Sequence, residues 1–356
     1  MTAKTEVRSR TIRNAAALAV GAFVLTVSGG ALAQTFEGYP INEPTKSSKA
    51  PSKKSAKGEA EVVVNKNGSG KYRTIAAALD DIAEGGIIHV RRGVYDENVV
   101  LTKSVKIIGE RDGDRSLVEI APPPNASNCL VYEPKETSST AVVENIRFVV
   151  DANAVSSSCI DVRGGVFTIK NSDVLGNRHG VGVRVTGGTS VIEGNRITQL
   201  AKGIEIDQQS SDSASFILSN TITSNVVGVD AAGYSDITMS GNTVHANASM
   251  GLFADTYGDL ELVGNEFTSN RIGVELQSTV RNVMFRANIV SDNSSHGIYA
   301  PNGLRGTITD SSFIGNDGRA VFVRNGEKPD STNNVFGENQ GDRRRRHYLM
   351  ESGLPK

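Results

Sequence analysis

From about residue 160 to residue 340 the chain alternates apolar and polar positions in runs of only three to seven residues. In 259–276 the order is Asp-Leu-Glu-Leu-Val-Gly, then Asn265-Glu-Phe-Thr-Ser-Asn270, then Gly273-Val274-Glu275-Leu276. The stretch 213–231 repeats it as Ala-Ser-Phe-Ile-Leu-Ser, Asn220-Thr-Ile-Thr-Ser-Asn225 and Gly228-Val229-Asp230-Ala231. Alternation with period two predicts strands with one buried face. Three such strands with polar corners fill one repeat and predict one turn of a three-sided coil. Successive coils stack in parallel, ~4.8 Å apart.

The repeat is kept by asparagine. Asn195, Asn220, Asn242, Asn265, Asn288 and Asn334 recur about every 23 residues, with Ser172 and Ser311 in the same slot. A second series follows five residues later, at Asn177, Asn225, Asn247, Asn270, Asn293, Asn316 and Asn339, with Leu200 in its place once. Self-similarity at this period predicts a solenoid. The asparagines are expected at the corners, where Asn tolerates the left-handed conformation and its amide satisfies turn backbone. Stacked on one another, they form a ladder.

These residues carry a resemblance. The Asn-x-Ile/Val and Gly-Ile/Val-x-Ile/Val repeats over roughly 61–340 resemble the right-handed parallel β-helix of the pectin-lyase-like superfamily. The expected fold is therefore all-β, a right-handed parallel β-helix of about ten coils. Upstream, Val62-Val-Val-Asn-Lys-Asn-Gly68-Ser-Gly70-Lys-Tyr72-Arg-Thr74-Ile75 and Gly93-Val-Tyr95-Asp-Glu97 are similar to the opening of pectin methylesterases. Thr74 is placed to N-cap a short helix with Ile75, Leu79 and Ile82 on one face, a plug for the open end of the core. The catalytic segments of pectin methylesterases are missing: no Gln-Asp, no Asp-Phe-x-Phe-Gly and no Trp at all. Of the polygalacturonase set, His179-Gly180 and His296-Gly297 occur without an Arg-x-Lys. The resemblance thus implies a fold and hands over no catalytic residue.

The ends read differently. Lys4, Arg8, Arg10 and Arg13 precede an apolar run, Ala15 to Val27, and Ala31-Leu32-Ala33, so residues 1–33 are expected to be a signal peptide. Residues 34–60 read as a Lys/Ser/Pro linker, 61–340 as the β-helix domain and 341–356 as a basic tail. No later segment is apolar enough to span a membrane, and a periplasmic or secreted location is expected. The formal charge of −1 hides an asymmetry. Residues 61–340 hold 24 basic and 33 acidic residues, a net −9, while both ends are basic. An acidic body excludes nucleic acid as the main partner.

Chemistry is expected on one outward line. The polar slot within Gly-Val-x-Val, followed coil to coil, reads Val131, Asp161, Arg184, Glu205, Asp230, Phe253, Glu275, Tyr299 and Phe322. Asp207, Asp255, Gln277 and Arg324 lie one outward step further. Glu205 and Asp230, one coil apart, suit a Ca²⁺ pair or the nucleophile and acid of a retaining glycosidase. Phe253 and Tyr299 suit stacking on sugar rings, and Arg184 a uronate carboxylate. The same line also reads as charges stacked for stability alone. The expected partner is a polysaccharide or cell-envelope glycan, bound without strong catalysis. The alternative is a Ca²⁺-dependent, lyase-like enzyme. Cys129 and Cys159 hold one slot in adjacent coils, within reach of a disulfide if their Cβ vectors converge.

Overall fold

The computed structural model describes residues 58–68, 70–123, 126–150, 158–277 and 279–343. The expected signal peptide, the linker up to residue 57 and the tail from residue 344 lie outside the described residues. No helix among the described residues is long and apolar enough to cross a membrane.

Three parallel sheets of 12, 11 and 10 strands wrap one apolar core. The first begins with Glu59–Val64 and Ile82–Val90 and ends with Asp330–Thr332. The second runs from Gly93–Tyr95 to Val335–Gly337, and the third from Val99–Leu101 to Val321–Val323. The first sheet therefore counts two more coils than the repeat suggests. The extra ones lie at the N-terminal end, where 17 residues, 65–81, separate its first two strands and no asparagine series marks the turn.

Each coil buries its alternate residues. Ile197, Ile222, Val244, Phe267, Val290 and Phe313 are fully buried in the second sheet, and Ile204, Val229, Leu252 and Val274 in the third. Every repeat thus adds its own slice of one continuous apolar column, the burial that drives the fold.

Asparagine fixes the corners between these slices. Asn195 Oδ1 accepts from Ser172 N at 3.0 Å, Asn220 Oδ1 from Asn195 N at 2.9 Å and Asn242 Oδ1 from Asn220 N at 2.9 Å. Each side-chain amide also donates to a carbonyl of the preceding coil, as Asn220 Nδ2 does to Ile192 O at 2.7 Å. The second series repeats the scheme from Leu200 N, which donates to Asn225 Oδ1, to Asn316 N, which donates to Asn339 Oδ1. One detail differs from the sequence reading. The left-handed conformation falls on the residue before each ladder slot: Asn171, Gly194, Ser219, Gly241, Gly264, Ala287, Asp310 and Asn333 have φ between 50° and 64°. The ladder asparagine follows in ordinary backbone, which leaves its amide free to point inward. Leu200 interrupts the second series, as its place in the sequence implied. Asn177 Oδ1 there accepts from His179 N in a local turn instead.

Close stacking explains the glycine of the Gly-Val-x-Val slot. A Cβ on Gly228 would lie 2.5 Å from Gly251 O and 3.1 Å from Asn247 Nδ2, and one on Gly251 would lie 2.6 Å from Gly273 O. The glycines stack because the ladder amides occupy the space beside them.

The N-terminal plug is the helix Ile75–Asp81. Thr74 caps it, accepting from Ala77 N, while Ile75, Ala78 and Leu79 are buried. A second cap comes from the third sheet's side of the chain. Glu97 accepts from Ile75 N and Ala76 N, both at 2.9 Å, one carboxylate oxygen on each amide. A carboxylate at this end also meets the positive pole of the helix. Glu97→Ala is expected to lower stability by about 1–2 kcal/mol, the usual range for a lost cap, with faster amide exchange at Ile75 and Ala76. Unchanged exchange at both amides would contradict that role.

Candidate functional site

The third sheet brings the outward line together. Its register pairs Asp161 with Val131, Arg184 with Asp161, Glu205 with Arg184 and Asp230 with Glu205. It continues through Phe253, Glu275, Tyr299 and Phe322. A second line pairs Asp207 with Ala232 and Ala232 with Asp255. Strand alternation sends all of these side chains to the same outer face.

At the N-terminal end of the line the charges are consumed among themselves. Arg163 holds Asp161 at 2.9 Å and Glu133 at 2.8 Å. Arg184 Nε donates to Glu205 at 2.5 Å, so its guanidinium is engaged rather than open to a uronate. Lys202 Nζ donates to Glu205 at 2.5 Å and reaches Asp230 at 2.6 Å. The proposed Ca²⁺ pair, Glu205 and Asp230, thus already shares an ammonium, which stands where a divalent ion would. Among the described residues there is no group of three or more His, Cys, Asp or Glu side chains placed to hold a metal. Burial favours a neutral Glu205, but the hydrogen bonds from Lys202 and Arg184 prevail and hold its carboxyl below the usual range. Lys202 shows the complement: desolvation disfavours its charge, yet its bonds to Asp230 and Glu205 keep it above the usual lysine value. A carboxylate held ionised in this way is a poor proton donor, so the acid role sketched for this pair does not fit its surroundings.

Glu275 is different. It lies between Phe253 and Tyr299 in register, and among the described residues its carboxylate accepts only from the Gln277 amide, at 3.2 Å. Desolvation raises its pKa, and the charge of Arg271 and the Gln277 bond offset only part of that. The folded state therefore binds this proton more tightly than the unfolded chain. Stability from it is present below the ordinary carboxylate value of 4.5 and is lost as pH rises through the raised one. Glu275→Gln is expected to flatten this loss and to be at least as stable as the parent at pH 7. Urea midpoints of both proteins from acid to neutral pH check it, and His296 titrates in both, so the difference isolates Glu275. A variant less stable at neutral pH would contradict the assignment.

Beyond Tyr299 the line turns aromatic. His296, Tyr299 and Phe322 lie nearly parallel with centroids 5.0–5.4 Å apart, and the Arg319 guanidinium covers Phe322 at 5.2 Å. His296 Nδ1 accepts from Arg319 N at 2.9 Å, which leaves the proton of the neutral ring on Nε2. Desolvation and the Arg319 charge keep this ring's pKa below the usual histidine value. Sequence spacing leaves His296 among scattered histidines, because it reaches the line by ring contact and not by a strand position.

Tyr234 and Tyr257 were also outside the expected set. They stack at 5.0 Å and 17° just past the strands Val227–Gly233 and Met250–Thr256, and both are exposed. Their signal is the repeated Tyr-x-Asp of Tyr234-Ser-Asp236 and Tyr257-Gly-Asp259, one coil apart. Cys129, just before the strand Leu130–Tyr132, and Cys159, in Ser158–Val162, are joined in a disulfide with Cα atoms 4.7 Å apart.

Comparison with known proteins adds the following. A family described as "Right handed beta helix region" matches residues 158–303 and 202–343. A pectinesterase/pectinesterase inhibitor of Arabidopsis thaliana, number 24, is 48% identical over 60 residues, 15% of this chain and 11% of that protein. The match thus spans about a ninth of that relative's length. Among solved structures, ORF18 of Geobacillus virus E2 has a TM-score of 0.53 at 13% identity, covering 78% of this chain and 62% of that one. A pectin methylesterase from Aspergillus niger has a TM-score of 0.42 at 13% identity, covering 86% and 93%. At 13% identity the likeness to ORF18 is one of fold alone.

Proposed function

Because this chain belongs to the right-handed β-helix family and has the pectin-lyase-like fold, we propose that it is an exported protein that binds a polysaccharide or cell-envelope glycan along the outward face of the third sheet, without strong catalysis. One observation carries the reading. Registered stacking turns residues far apart in sequence, from Asp161 to Phe322, into one continuous acidic and aromatic face. A polymer lying along the solenoid would meet one outward side chain every ~4.8 Å. The basic n-region, apolar run and Ala-x-Ala site of residues 1–33 support export to the periplasm or beyond.

Affinity electrophoresis against a panel of neutral, anionic and cationic polysaccharides tests the proposal. Retardation by at least one polymer is expected, weakened about tenfold, or ~1.4 kcal/mol, by Phe253→Ala or Tyr299→Ala. No retardation by any polymer would sink it.

Glu275 favours a second reading as an enzyme. A carboxyl whose pKa burial raises, in register between two aromatic side chains, is a candidate general acid. Turnover of a panel polymer, lost in Glu275→Gln, would support an enzyme, whereas binding without new reducing ends or unsaturated products would count against it.

A further inference from the structure

The exposed tyrosine pair belongs to a patch with its own chemistry. Along Val227–Gly233 the outward positions include Asp230 and Ala232, and the exposed Tyr234 follows just past Gly233, whose φ of 88° ends the strand. One neighbouring strand, Lys202–Gln208, places Asp207 beside Ala232, and the other, Met250–Thr256, places Asp255 there. Ala232 is the shortest of these side chains and forms the floor. Two carboxylates flank it across the coils at ~4.8 Å of backbone each. Asp230 flanks it along the strand, about 6.6 Å away, and Tyr234 follows two residues on, just past the strand end at Gly233. Tyr234 is 47% exposed and Tyr257 55%, the largest exposed hydrophobic side chains at these strand ends.

The charges around the patch are not balanced. Arg184 and Lys202 are taken up by Glu205 and Asp230. Asp207 is bonded by the Gln209 amide and Asp255 by the Thr279 hydroxyl, both neutral partners. Among the described residues no ion pair reaches Asp207 or Asp255. The surplus at the patch is therefore negative, on a β-helix body that is itself acidic. Ligands bearing carboxylates would be repelled here, since the cations in the neighbouring register, Arg184 and Lys202, are already paired.

We propose that this patch binds a glycan whose sugars carry free, protonated amino groups. The proposal rests on the carbohydrate-binding reading above and gives it a substrate class. One ammonium group sits over Ala232 between Asp207 and Asp255, as a charge-assisted hydrogen-bond donor to both. The adjoining sugar lies against the exposed Tyr234 and Tyr257 rings, whose flat apolar area has no other cover. The aromatic pair favours a sugar polymer over a basic peptide, since lysine side chains need only the carboxylates.

Calorimetric titration of the full chain at low salt and mildly acidic pH tests this. The probes are a glucosamine hexamer, its fully N-acetylated counterpart, an oligogalacturonate and a lysine oligopeptide. The glucosamine hexamer is expected to bind at least tenfold more tightly than the other three and to weaken with added salt. Asp207→Asn with Asp255→Asn is expected to cost it about tenfold, as is Tyr234→Ala with Tyr257→Ala, with unfolding midpoints unchanged in both doubles. Equal or tighter binding of the acetylated or uronate probe would overturn the amino-sugar assignment and leave the carbohydrate reading standing. Binding of the lysine peptide as tight as that of glucosamine, insensitive to the tyrosine changes, would make the patch a peptide site. If no probe binds here and no polysaccharide retards the protein, both readings fall.

Discussion

Asn242→Leu is expected to lower the unfolding free energy by about 3–5 kcal/mol. Asn242 is 1% exposed, and its side chain makes five hydrogen bonds, the longest to Ser240 O at 3.3 Å. Its Oδ1 accepts from Asn220 N at 2.9 Å and from Asn220 Nδ2 at 3.0 Å, while its Nδ2 donates to Ile217 O at 2.7 Å and Asn265 Oδ1 at 2.8 Å. Leucine fills similar space and makes none of these bonds. The Asn220 amide N–H loses its acceptor and the Ile217 carbonyl this donor, in a place water does not reach. Each stranded group costs roughly 1–3 kcal/mol, and the weakened amide stack adds to that. Asn242→Ser supplies the control. Ser311 already stands in the ladder, its Oγ accepting from Asn288 N at 3.1 Å and donating to Thr309 O at 2.9 Å. A serine at 242 keeps the acceptor for Asn220 N and is expected to lose about half as much. Equilibrium urea unfolding followed by circular dichroism reads both. A leucine variant within 1 kcal/mol of the parent would show that the ladder is not what holds the corners.

Lys202→Met carries the second large effect. Glu205 and Asp230 are direct neighbours in the register, their side chains 16% and 17% exposed. Without the ammonium, two like charges stand one coil apart with little water around them. Breaking a fully buried pair costs 3–5 kcal/mol. Partial exposure of Lys202 reduces this to roughly 2 kcal/mol. The vacated place then becomes a two-carboxylate cation site. Millimolar Ca²⁺ is expected to recover part of the loss in the variant, about 1.4 kcal/mol at ten times its dissociation constant. The parent, whose lysine fills that place, is expected to keep the same melting midpoint in Ca²⁺ and in chelator. A parent protein stabilised by Ca²⁺ as much as the variant would contradict this and restore the calcium pair.

What the sequence disclosed follows from which interactions repeat. The ladder asparagines were legible because successive coils must satisfy the same corner backbone groups, and a short amide does so at most steps, with a serine hydroxyl serving at Ser172 and Ser311. The third-sheet register was legible for a related reason: Gly228 and Gly251 admit no Cβ, so the slots that follow them align. The left-handed residue before each ladder slot was not, since glycine, serine, alanine, aspartate and asparagine all serve there. Two coils were missed because the first turns replace the asparagine pattern with a helix and long connections. On the outward face, strand alternation found Asp161, Glu205, Asp230 and Glu275 but not Lys202. A long flexible stem starting three residues before Glu205 reaches a place that no period marks. Tyr234, Tyr257 and His296 escaped likewise, lying past strand ends where alternation stops.

The central claim is that the outward face of the third sheet is the binding surface. Hydroxyl-radical footprinting with mass spectrometry, with and without a saturating bound glycan, tests it most directly. Protection is predicted at Tyr234, Phe253, Tyr257 and Tyr299, with Met284 on the first sheet and Phe336 on the second, both exposed, unchanged. Protection of Met284 or Phe336 with the tyrosines still reactive would contradict it.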